Sequence, residues 1–517
     1  PHSLSPQSIP LRGVAMGDAQ LFIDGVWADA QSGETFPTYA PSTGEKIADV
    51  AKAGREDAQR AVQAARKAFD DGPWARMSGK ERAEKLRAAA DIINGRSAEI
   101  AEIEARDGGG TIKKAMFADV PGAVSTFQAF ADCAENEPDV VERGESPFPP
   151  AKSIVRREPY GVCSGIVPWN FPFLMAGWKI GPAIAAGNTV VLKPASFTSL
   201  SAIEMVKAVQ EADIPPGVVN LITGPGGSAG EELAQHPLVD KVAFTGSTEV
   251  GRRIMQLASG TVKKVTLELG GKSANIVLDD ADLDLAAAGV LWGTFFHNGQ
   301  VCESGTRALV SRKIYDEFVG MLVERAGKIV IGDNMDMNTD LGPLVAPSQV
   351  DTTERYVKLG LDEGAKLLCG GSKPTNLAAG LDQSAYYLPT IFEADNSMKI
   401  AQEEIFGPVL CVIPFDSDDE AIKIANDSIY GLGGGVWSKN LDRAHSLAAS
   451  MRTGTVWVND YHMITPTQPF GGYKQSGIGR ELGDYGYNEY RQIKHVWQNT
   501  ATDRSGYLHF AALSGNI

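Results

Sequence analysis

The run Thr189-Val-Val-Leu-Lys193 belongs to a series of short apolar runs that alternate with helical patterns through the middle of the chain. The series comprises residues 162–167 (VCSGIV), 189–193, 218–223 (VVNLIT), 241–245 (KVAFT), 264–268 (KVTLE) and 274–278 (ANIVL). Helices are predicted between these runs over residues 200–212, 230–235 and 248–258. Strands of four to six residues separated by helices are typical of βαβ units and a parallel sheet. The pattern therefore predicts an α/β fold.

The carboxyl ends of these runs carry residues that end a strand. Lys193 is followed by Pro194, and Thr245 is followed by Gly246. In a parallel sheet covered by helices, ligands bind at the carboxyl ends of the strands. We therefore expect the chemistry near four turns, which are residues 168–172, 193–196, 223–227 and 246–248.

The 517-residue chain is too long for one compact core, which rarely grows past about 250–300 residues. A second α/β region is predicted from about residue 279 to residue 477. Its helices are expected over residues 283–296, 313–328, 348–363 and 418–428. The N-terminal part is predicted to hold short strands within residues 18–37 and solvent-facing helices over residues 56–72 and 79–106.

Residues 135–150 contain four prolines and several acidic residues. Because proline lacks the backbone N–H that helix interiors and central strands use, this stretch predicts a boundary or a projecting arm. A β-like run over residues 492–497 lies near the C-terminus. The tail that follows residue 505 has no predicted partner.

The net charge of -16 and a pI near 5.0 argue against nucleic acid or an anionic membrane as partner, since both need clustered Lys and Arg. No segment approaches the ~20 uncharged apolar residues of a membrane helix. No signal peptide is evident, and Met16 is the expected native start because Pro1 is not an initiator. The five scattered cysteines form no CxxC pair, which predicts reduced thiols, no metal site and a cytoplasmic protein.

Cys302 lies within residues 296–307 (FHNGQVCESGTR), between Gly299 and Gly305. Flanking glycines favour a tight loop over a helix interior. A thiol is a good nucleophile only as the thiolate, so a catalytic Cys302 needs a positive field, a base or backbone N–H donors. The alternative is a small buried core thiol.

Two further side chains suit catalysis. Glu268 lies among apolar residues and before two glycines, where partial desolvation raises the pKa of a carboxyl group and suits a general base. The alternative is a salt-bridged glutamate at a strand end. Asn170 lies among two prolines and two aromatic residues, and an amide fixed in a dry pocket suits an oxyanion donor. The alternative for Asn170 is an amide that caps its own turn.

Two glycine-rich turns are candidate phosphate sites. Residues 224–230 (GPGGSAG) depart from the G-x-G-x-x-G pattern because Ala229 takes the place of the last glycine. Residues 244–251 (FTGSTEVG) are the better candidate, since Ser247 and Thr248 offer hydroxyl and backbone N–H groups at a predicted helix start. Most glycine-rich turns are only turns, so neither pattern is specific alone.

Together these motifs resemble the aldehyde dehydrogenase superfamily over essentially residues 20–500, and they occur in the family's order. They are Pro168-Trp-Asn-Phe-Pro172, Lys193-Pro-Ala, Phe244-Thr-Gly-Ser-Thr248, Leu267-Glu-Leu-Gly-Gly-Lys272, Gly299-Gln-Val-Cys302, Glu403-Glu-Ile-Phe-Gly-Pro408 and Pro469-Phe-Gly-Gly-Tyr-Lys-Gln-Ser-Gly477. The resemblance implies a Rossmann-like parallel-sheet cofactor domain, an α/β catalytic domain and a small β arm that joins subunits into homodimers or homotetramers. The implied segments are 18–134 and 161–270 for the cofactor domain, 135–160 and 479–504 for the arm, 271–478 for the catalytic domain and 505–517 for the C-terminal tail.

The resemblance also implies the chemistry. Cys302 attacks the aldehyde, while its own backbone N–H and the Asn170 amide stabilise the oxyanion of the thiohemiacetal. That anion delivers hydride to the nicotinamide, and water activated by Glu268 hydrolyses the remaining thioester. Lys179 and Glu481 match positions that pass the proton to solvent, or they form a plain ion pair.

Contacts with the cofactor follow from the same resemblance. Lys193 matches the residue that reaches the adenosine ribose, and Glu404 matches the one that holds the nicotinamide ribose. The full predicted set is Val167, Pro168, Trp169, Lys193, Ser196, Gly226, Gly246, Ser247, Glu404 and Phe406. NAD-preferring relatives often carry Glu where Ser196 stands, and a carboxylate there would repel a 2′-phosphate. The cofactor is therefore expected to be NAD or NADP, with NADP tolerated and its preference over NAD left open.

The predicted substrate tunnel is mostly apolar or aromatic. Its residues are Phe171, Met175, Trp178, Val301, Glu303, Tyr461, His462 and Phe470. Relatives that act on succinate semialdehyde tend to carry Arg where Trp178 stands, so the sequence favours an aliphatic or aromatic aldehyde of moderate size. Glu303 and His462 leave a cationic aminoaldehyde open, unless both lie at the rim and select nothing.

Three other functions stay open at this point. A CoA-acylating relative would release the acyl group to CoA, although such relatives commonly lack a Glu that matches Glu268. A thiol esterase would use Cys302 and the oxyanion site without reducing a cofactor. A non-catalytic protein of this fold is disfavoured because Cys302, Glu268 and Asn170 are all present.

Overall fold

The computed structural model describes residues 19–147 and 149–513, with only the backbone at residue 511. The predicted start at Met16, the first residue of the predicted cofactor domain and the end of the tail lie outside the described residues. Within those residues, no helix is long and apolar enough to cross a membrane. The same residues contain no group of His, Cys, Asp and Glu side chains that could hold a metal ion.

The strands of the described chain are β1 (Leu21–Ile23), β2 (Val26–Ala28), β3 (Thr35–Tyr39), β4 (Lys46–Ala51), β5 (Val140–Pro147), β6 (Pro150–Pro159), β7 (Val162–Ile166), β8 (Thr189–Lys193), β9 (Val219–Leu221), β10 (Lys241–Thr245), β11 (Lys264–Glu268), β12 (Ala274–Val277), β13 (Arg307–Ser311), β14 (Lys366–Cys369), β15 (Thr390–Glu393), β16 (Val409–Phe415), β17 (Gly433–Trp437), β18 (Thr455–Val458), β19 (Gly477–Ile478) and β20 (Arg491–Asn499).

The α-helices are α1 (Arg55–Asp70), α2 (Gly79–Gly95), α3 (Ser97–Gly108), α4 (Ile112–Lys114), α5 (Val120–Asn136), α6 (Pro172–Ala185), α7 (Leu200–Glu211), α8 (Glu231–Gln235), α9 (Thr248–Ala258), α10 (Leu283–Phe295), α11 (Tyr315–Ala326), α12 (Pro347–Asp362), α13 (Lys399–Gln402), α14 (Asp418–Asn426), α15 (Leu441–Ser450), α16 (Gly483–Asn488) and α17 (Leu508–Ala512).

The larger sheet has eight strands in the order β19-β11-β10-β7-β8-β9-β1-β2. Its five middle strands run parallel, and antiparallel strands close both edges. Every residue of β7, β8 and β10 is buried, as expected for parallel strands that helices cover on both faces. The predicted α/β fold with a parallel sheet is confirmed.

The second sheet has seven strands in the order β14-β15-β16-β13-β12-β17-β18. All but β14 run parallel to their neighbours. The last apolar run of the sequence series, β12, pairs here with β13 and β17 and not with the first sheet. Helix α15 also packs in this region, although the sequence analysis did not predict it. Its buried stripe consists of only Ala444 and Leu447, which leaves a weak periodic signal.

A third sheet is antiparallel and has the order β20-β6-β5. The proline-rich stretch supplies its edge strand β5 and the first residue of β6, which are positions that tolerate proline. The described part of the tail lies beside this sheet, since the Asn499 side chain donates to the carbonyl of Gly506 at 3.1 Å. We propose that this sheet is the predicted arm and that the domain boundaries follow the segments inferred above.

The prediction for residues 79–106 is partly wrong. These residues form two helices, α2 and α3, which meet at Arg96, and most of α3 is buried. Helix α3 packs against α7 and α5, so its acidic residues Glu102 and Glu104 are inside the protein. Alanine-rich helices look alike in sequence whether solvent or another helix covers them, and the pattern therefore did not reveal the burial.

Candidate active site

A cavity of about 1130 Å³ opens at the carboxyl ends of β7, β10 and β11. Residues that follow these three strands line it, as do residues of the loop before β13 and the turn before β16. Two of the four turns where the sequence predicts chemistry, at residues 168–172 and 246–248, contribute to this lining. The larger sheet and the second α/β region therefore meet at one candidate site.

Most predicted site residues line this cavity. They are Pro168, Trp169, Asn170, Phe171, Met175, Trp178, Gly246, Ser247, Glu268, Cys302, Glu303, Glu404, Phe406, His462 and Phe470. The remaining predicted residues are outside its lining. They are Val167, Lys179, Lys193, Ser196, Gly226, Val301, Tyr461 and Glu481.

The loop that carries Cys302 has an unusual backbone. His297, Asn298 and Gly299 all have positive φ, at 50°, 57° and 70°. Such a conformation is costly for residues other than glycine, and the surrounding structure must hold it. The Asn298 amide donates to the carbonyls of Gly342 and Pro343 at 3.0 and 3.2 Å and so fixes the loop. The sequence analysis missed this role, although an Asn-Gly pair signals a left-handed turn.

The Cys302 thiol meets a carboxylate in this site. Its Sγ donates to Oε2 of Glu303 at 3.1 Å. Burial, and then the charges of Glu303, Glu268 and Glu404, raise the pKa of the thiol well above its ordinary value. The surroundings therefore favour the protonated thiol.

Asn170 is fixed against the Cys302 loop. Its Nδ2 donates to the carbonyl of Gln300 at 2.8 Å, and the side chain is buried. The sequence alternative was an amide that caps its own turn, but this bond joins residues that are 130 positions apart. An amide has two N–H groups, so one donor is available to a ligand in the cavity.

Glu268 ends β11 and is 4% exposed. Burial, and then the charge of Glu481, raise the pKa of its carboxyl group well above the ordinary value. Its Oε2 has no hydrogen-bond partner, and the side chain forms no ion pair, among the described residues. Gly471, which has a positive φ of 154°, packs closely against this side chain, since an added Cβ there would lie 2.6 Å from Oε1 of Glu268. The alternative of a salt-bridged strand end does not describe this carboxyl group.

Lys179 and Glu481 form a hydrogen-bonded ion pair that is almost wholly buried. Lys179 lies in the middle of α6, and Glu481 pairs through its backbone with Phe470, which lines the cavity. Both charges act on the Glu268 carboxyl group, with opposite signs. The pair therefore lies close behind Glu268.

Polar groups at the far end of the site bond to backbone groups of their own turn or of a neighbouring turn. The Lys193 ammonium donates to the carbonyl of Pro194 at 3.0 Å, and burial lowers its pKa to about 8. The Ser196 hydroxyl donates to the carbonyl of Gly224 at 3.0 Å, and Ser247 caps α9 by accepting from Val250. These residues lie at the ends of β8, β9 and β10.

The arrangement fits a dinucleotide. At Gly226 an added Cβ would meet no atom within 4 Å, which leaves room for a ligand near the backbone. The start of α9 faces the cavity through Ser247 and offers the N–H groups that bind phosphate. The Glu404 carboxylate accepts from the backbone N–H of Gly271 at 2.9 Å, and burial raises its pKa to about 7. Beside it, the rings of Phe406 and Trp169 contact edge to face at 5.2 Å.

The substrate end of the cavity is aromatic. Trp178 contacts Phe470 at a ring separation of 5.6 Å, and Phe171 contacts Phe296 at 6.2 Å. The sequence analysis missed several lining residues, which include Phe117, Leu174, Trp292, Phe296 and Ile464. Trp292 lies in α10 and Phe296 directly follows that helix, and their spacing of four residues within the predicted helix over 283–296 could have indicated a shared face.

Two of the predicted tunnel residues do not line the cavity. Val301 and Tyr461 are buried and do not reach the cavity. The Tyr461 hydroxyl donates to the carbonyl of Glu303 at 2.8 Å, so it supports the Cys302 loop from behind. By contrast, Glu303 and His462 are buried and line the cavity, and they hydrogen-bond to each other at 3.0 Å. They are not exposed rim residues.

Comparisons with known proteins agree with this arrangement. The profile of the aldehyde dehydrogenase family matches residues 27–496. A betaine aldehyde dehydrogenase of Bacillus subtilis (strain 168) is 47% identical over 481 residues, which are 93% of this chain and 97% of that protein. A crystal structure of betaine aldehyde dehydrogenase from Staphylococcus aureus in complex with NAD+ superposes with a TM-score of 0.91 at 40% identity, covering 94% of this chain and 96% of that chain.

An aldehyde dehydrogenase from Bacillus cereus, also solved as an NAD+ complex, gives a TM-score of 0.90 at 42% identity, with 94% of this chain and 97% of that chain covered. The two solved relatives share the fold of this chain, and both contain NAD+. The chain belongs to the aldehyde dehydrogenase family, whose members oxidise aldehydes with a nicotinamide cofactor.

Proposed function

We propose that this enzyme oxidises aldehydes through a covalent Cys302 intermediate, which Glu268 then releases as the carboxylic acid. The observation that carries the proposal is the convergence of Cys302, Asn170 and Glu268 on one cavity from three separate parts of the chain. A thiol, a fixed amide donor and a desolvated carboxyl group are the nucleophile, oxyanion donor and base that acyl chemistry needs.

In the first half-reaction, the Cys302 thiol releases its proton to solvent and the sulfur attacks the aldehyde carbon, so that the carbonyl oxygen becomes an oxyanion. The Asn170 amide, held by the Gln300 carbonyl, and the backbone N–H of Cys302 donate to that oxyanion. When bound, the nicotinamide cofactor would accept the hydride that leaves the former aldehyde carbon as the oxyanion re-forms the C=O bond, and Cys302 would then carry a thioester. The aromatic lining near Phe171 and Trp178 excludes water from the carbonyl during this step.

In the second half-reaction, a water molecule attacks the Cys302 thioester and loses a proton to Glu268. The raised pKa of Glu268 makes the carboxylate a stronger base than an exposed glutamate. The proton then moves toward the buried Lys179–Glu481 pair behind it. Cys302 leaves as the thiolate, and the carboxylic acid is released.

For the cofactor, we propose that Glu404 holds the nicotinamide ribose, with Phe406 packed beside it. The adenosine part is bound by Lys193, Gly226 and Ser247, and the other predicted residues Val167, Pro168, Trp169 and Gly246 shape the same surface. Both NAD and NADP are accepted, because Ser196 places no carboxylate beside the 2′ position. Turnover with NADP that is more than about a hundredfold poorer than with NAD would contradict this statement.

The test of the reaction is a panel of aldehydes assayed for cofactor reduction with NAD and with NADP, for wild type and Cys302→Ala. Cys369→Ala, a half-buried thiol in β14, is the matched control. We expect Cys302→Ala to lose about 10⁴-fold or more of kcat and the control to keep wild-type activity. Cofactor reduction that persists in Cys302→Ala would remove Cys302 from the mechanism. Reduction that requires added CoA would indicate acyl release to CoA.

Aliphatic or aromatic aldehydes of moderate size are the proposed substrates. The cavity volume and the aromatic contacts of Trp178 and Phe470 support this choice. A cationic aldehyde is a second candidate, because Glu303 places a buried carboxylate on the cavity lining. The similarity to a betaine aldehyde dehydrogenase also favours it. In the panel, Glu303→Gln should raise KM for betaine aldehyde more than for an uncharged aldehyde of equal length. An equal change in both KM values would leave uncharged aldehydes as the only proposed substrates.

We also propose a cytoplasmic homodimer or homotetramer that assembles through the arm. The outer strand β20 exposes Ile493 and Trp497 on one face and Val496 on the other, and these apolar side chains suit contact with a second subunit. The mass measured by light scattering, compared with that of Trp497→Lys, tests this assembly. A monomeric wild type would contradict it.

A further inference from the structure

Glu303, the residue after Cys302, forms a hydrogen-bonded relay between the Cys302 thiol and His462. Glu303 accepts a hydrogen bond from Cys302 Sγ on Oε2 at 3.1 Å. Its other oxygen, Oε1, contacts Nδ1 of His462 at 3.0 Å. The Glu303 and His462 side chains are only 6% and 4% exposed. Both carboxylate oxygens are therefore occupied inside the cavity wall, and one of them faces the reacting sulfur.

The surroundings of Glu303 favour the ionised form of its carboxyl group. Burial alone would raise the pKa of its carboxyl group, but the hydrogen bond and charge of His462, together with the Cys302 thiol, hold it below the ordinary value. The other acid beside the thiol is Glu268, whose pKa is raised. Of these two carboxyl groups, Glu303 is therefore the more acidic one.

A negative charge at hydrogen-bond distance stabilises S–H and disfavours S⁻. Among the described residues, the charged groups with the largest effects on the Cys302 thiol are the carboxyl groups of Glu303, Glu268 and Glu404. Around Glu303, the titratable neighbours are His462, Cys302 and Tyr461. Each of the acids near the thiol acts in the same direction, and Glu303 has the largest effect after burial.

We propose that Glu303, held by His462, is a positioning residue that keeps the Cys302 thiol protonated and directed at its own carboxylate in the resting enzyme. The inference rests on the proposed role of Cys302 as the nucleophile, and it adds a residue that lowers the reactivity of that nucleophile in the resting enzyme. Protection from alkylating and oxidising agents in the resting enzyme follows, because the thiolate is the species that reacts with them.

The experiment measures the reactivity of Cys302 without turnover. Iodoacetamide alkylates the thiolate, with a new S–C bond, loss of iodide and release of the thiol proton to solvent. The rate of Cys302 modification is followed by peptide mass from about pH 6 to about pH 10 in full-length wild type and Glu303→Gln. Glu303→Asp keeps the charge, and Glu84→Gln replaces an exposed acid on α2 as a matched control.

We expect Glu303→Gln to titrate at least about one pH unit lower than wild type and to react about tenfold faster near pH 7. Glu303→Asp should stay closer to wild type, and Glu84→Gln should coincide with it. If Glu303→Gln fails to fold, Glu303→Ala removes the same charge with less polar surface to bury, and the same shift is expected.

A titration of Glu303→Gln that overlays the wild-type curve overturns the proposal, as does a shift to higher pH. Failure of the proposed function is a separate result, because it appears as cofactor reduction by Cys302→Ala. An inactive Cys302→Ala combined with an unshifted Glu303→Gln would leave the reaction intact and remove only the role of Glu303.

Discussion

The two ends of the ligand site differ in how their polar groups are satisfied. At the catalytic end, Oε2 of Glu268 and Nε2 of His462 are buried and have no hydrogen-bond partner among the described residues. At the adenosine end, Lys193, Ser196 and Ser247 all bond to nearby backbone groups. A buried polar atom without a partner costs about 1–3 kcal/mol. The catalytic end therefore keeps buried polar atoms that can bond to a ligand, whereas the polar groups at the adenosine end are already bonded and preorganised. We expect substitutions at the catalytic end to change reaction rates and substitutions at the adenosine end to change the affinity for the cofactor.

The largest effect in this comparison is expected at Glu268. Glu268→Gln keeps the shape of the side chain but cannot accept a proton from water. Steady-state turnover should fall about 10²- to 10⁴-fold, while the first equivalent of reduced cofactor still forms rapidly. Stopped-flow absorbance separates the burst from the steady state, and Glu84→Gln serves as the control. Loss of the burst itself would place Glu268 in the first half-reaction.

Glu268 should also determine how the steady-state rate depends on pH. Below its raised pKa the Glu268 carboxyl group is protonated and cannot act as a base, so the steady-state rate should fall as the pH is lowered through that value. The burst phase should lack this dependence on Glu268. In Glu268→Gln the corresponding limb of the pH profile should disappear, and a limb that survives belongs to another group.

Asn170 gives the next largest effect. Asn170→Ala removes the amide donor, and kcat should fall about 10²- to 10³-fold with little change in cofactor affinity. The control is Asn338→Ala, at an amide in a surface turn. Steady-state kinetics together with a cofactor titration by fluorescence check both statements. A change confined to KM would mean that Asn170 binds the ground state and the oxyanion equally.

The buried ion pair behind Glu268 should affect stability as well as rate. Glu481→Gln leaves Lys179 buried without its anion, and the free energy of unfolding should fall by about 3–5 kcal/mol. Urea denaturation of the single variant and of Lys179→Met/Glu481→Leu measures the loss. The double variant should recover most of the stability but not the deacylation rate. Full recovery of both would reduce the pair to a structural role.

The smallest effect is expected at the adenosine end. Ser196→Glu adds a carboxylate near the 2′ position, which should raise KM for NADP about tenfold and leave KM for NAD within about twofold. Initial rates with each cofactor at saturating aldehyde measure both constants. Equal changes for NAD and NADP would show that Ser196 lies away from the 2′ group.

The same contrast explains how much the sequence could predict. The α/β fold followed from the apolar runs, because parallel strands such as β8 are buried on both faces and leave a continuous apolar signal. Cys302, Glu268 and Asn170 were predicted because each lies in a short motif at a strand end or glycine turn. Local patterns therefore indicated the groups to which we assign the proposed chemistry.

Long-range packing was not accessible in the same way. The hydrogen bond from Asn170 to Gln300 and the position of Tyr461 behind the Glu303 loop join distant parts of the chain. Periodicity carries no information on which helix covers another, so the burial of α3 was also missed. The relay from Cys302 through Glu303 to His462 depends on such a contact, and only the structure brings it together.

The most direct test of the account is the identity of the atom that carries the acyl group. Glu268→Gln is mixed with one equivalent of NAD and the best aldehyde of the panel, quenched after the burst, and digested for peptide mass analysis. We predict one equivalent of reduced cofactor per active site and the mass of the acyl group on the peptide that contains Cys302. Reduced cofactor with an unmodified Cys302 peptide, or an acyl group on any other residue, would contradict the account.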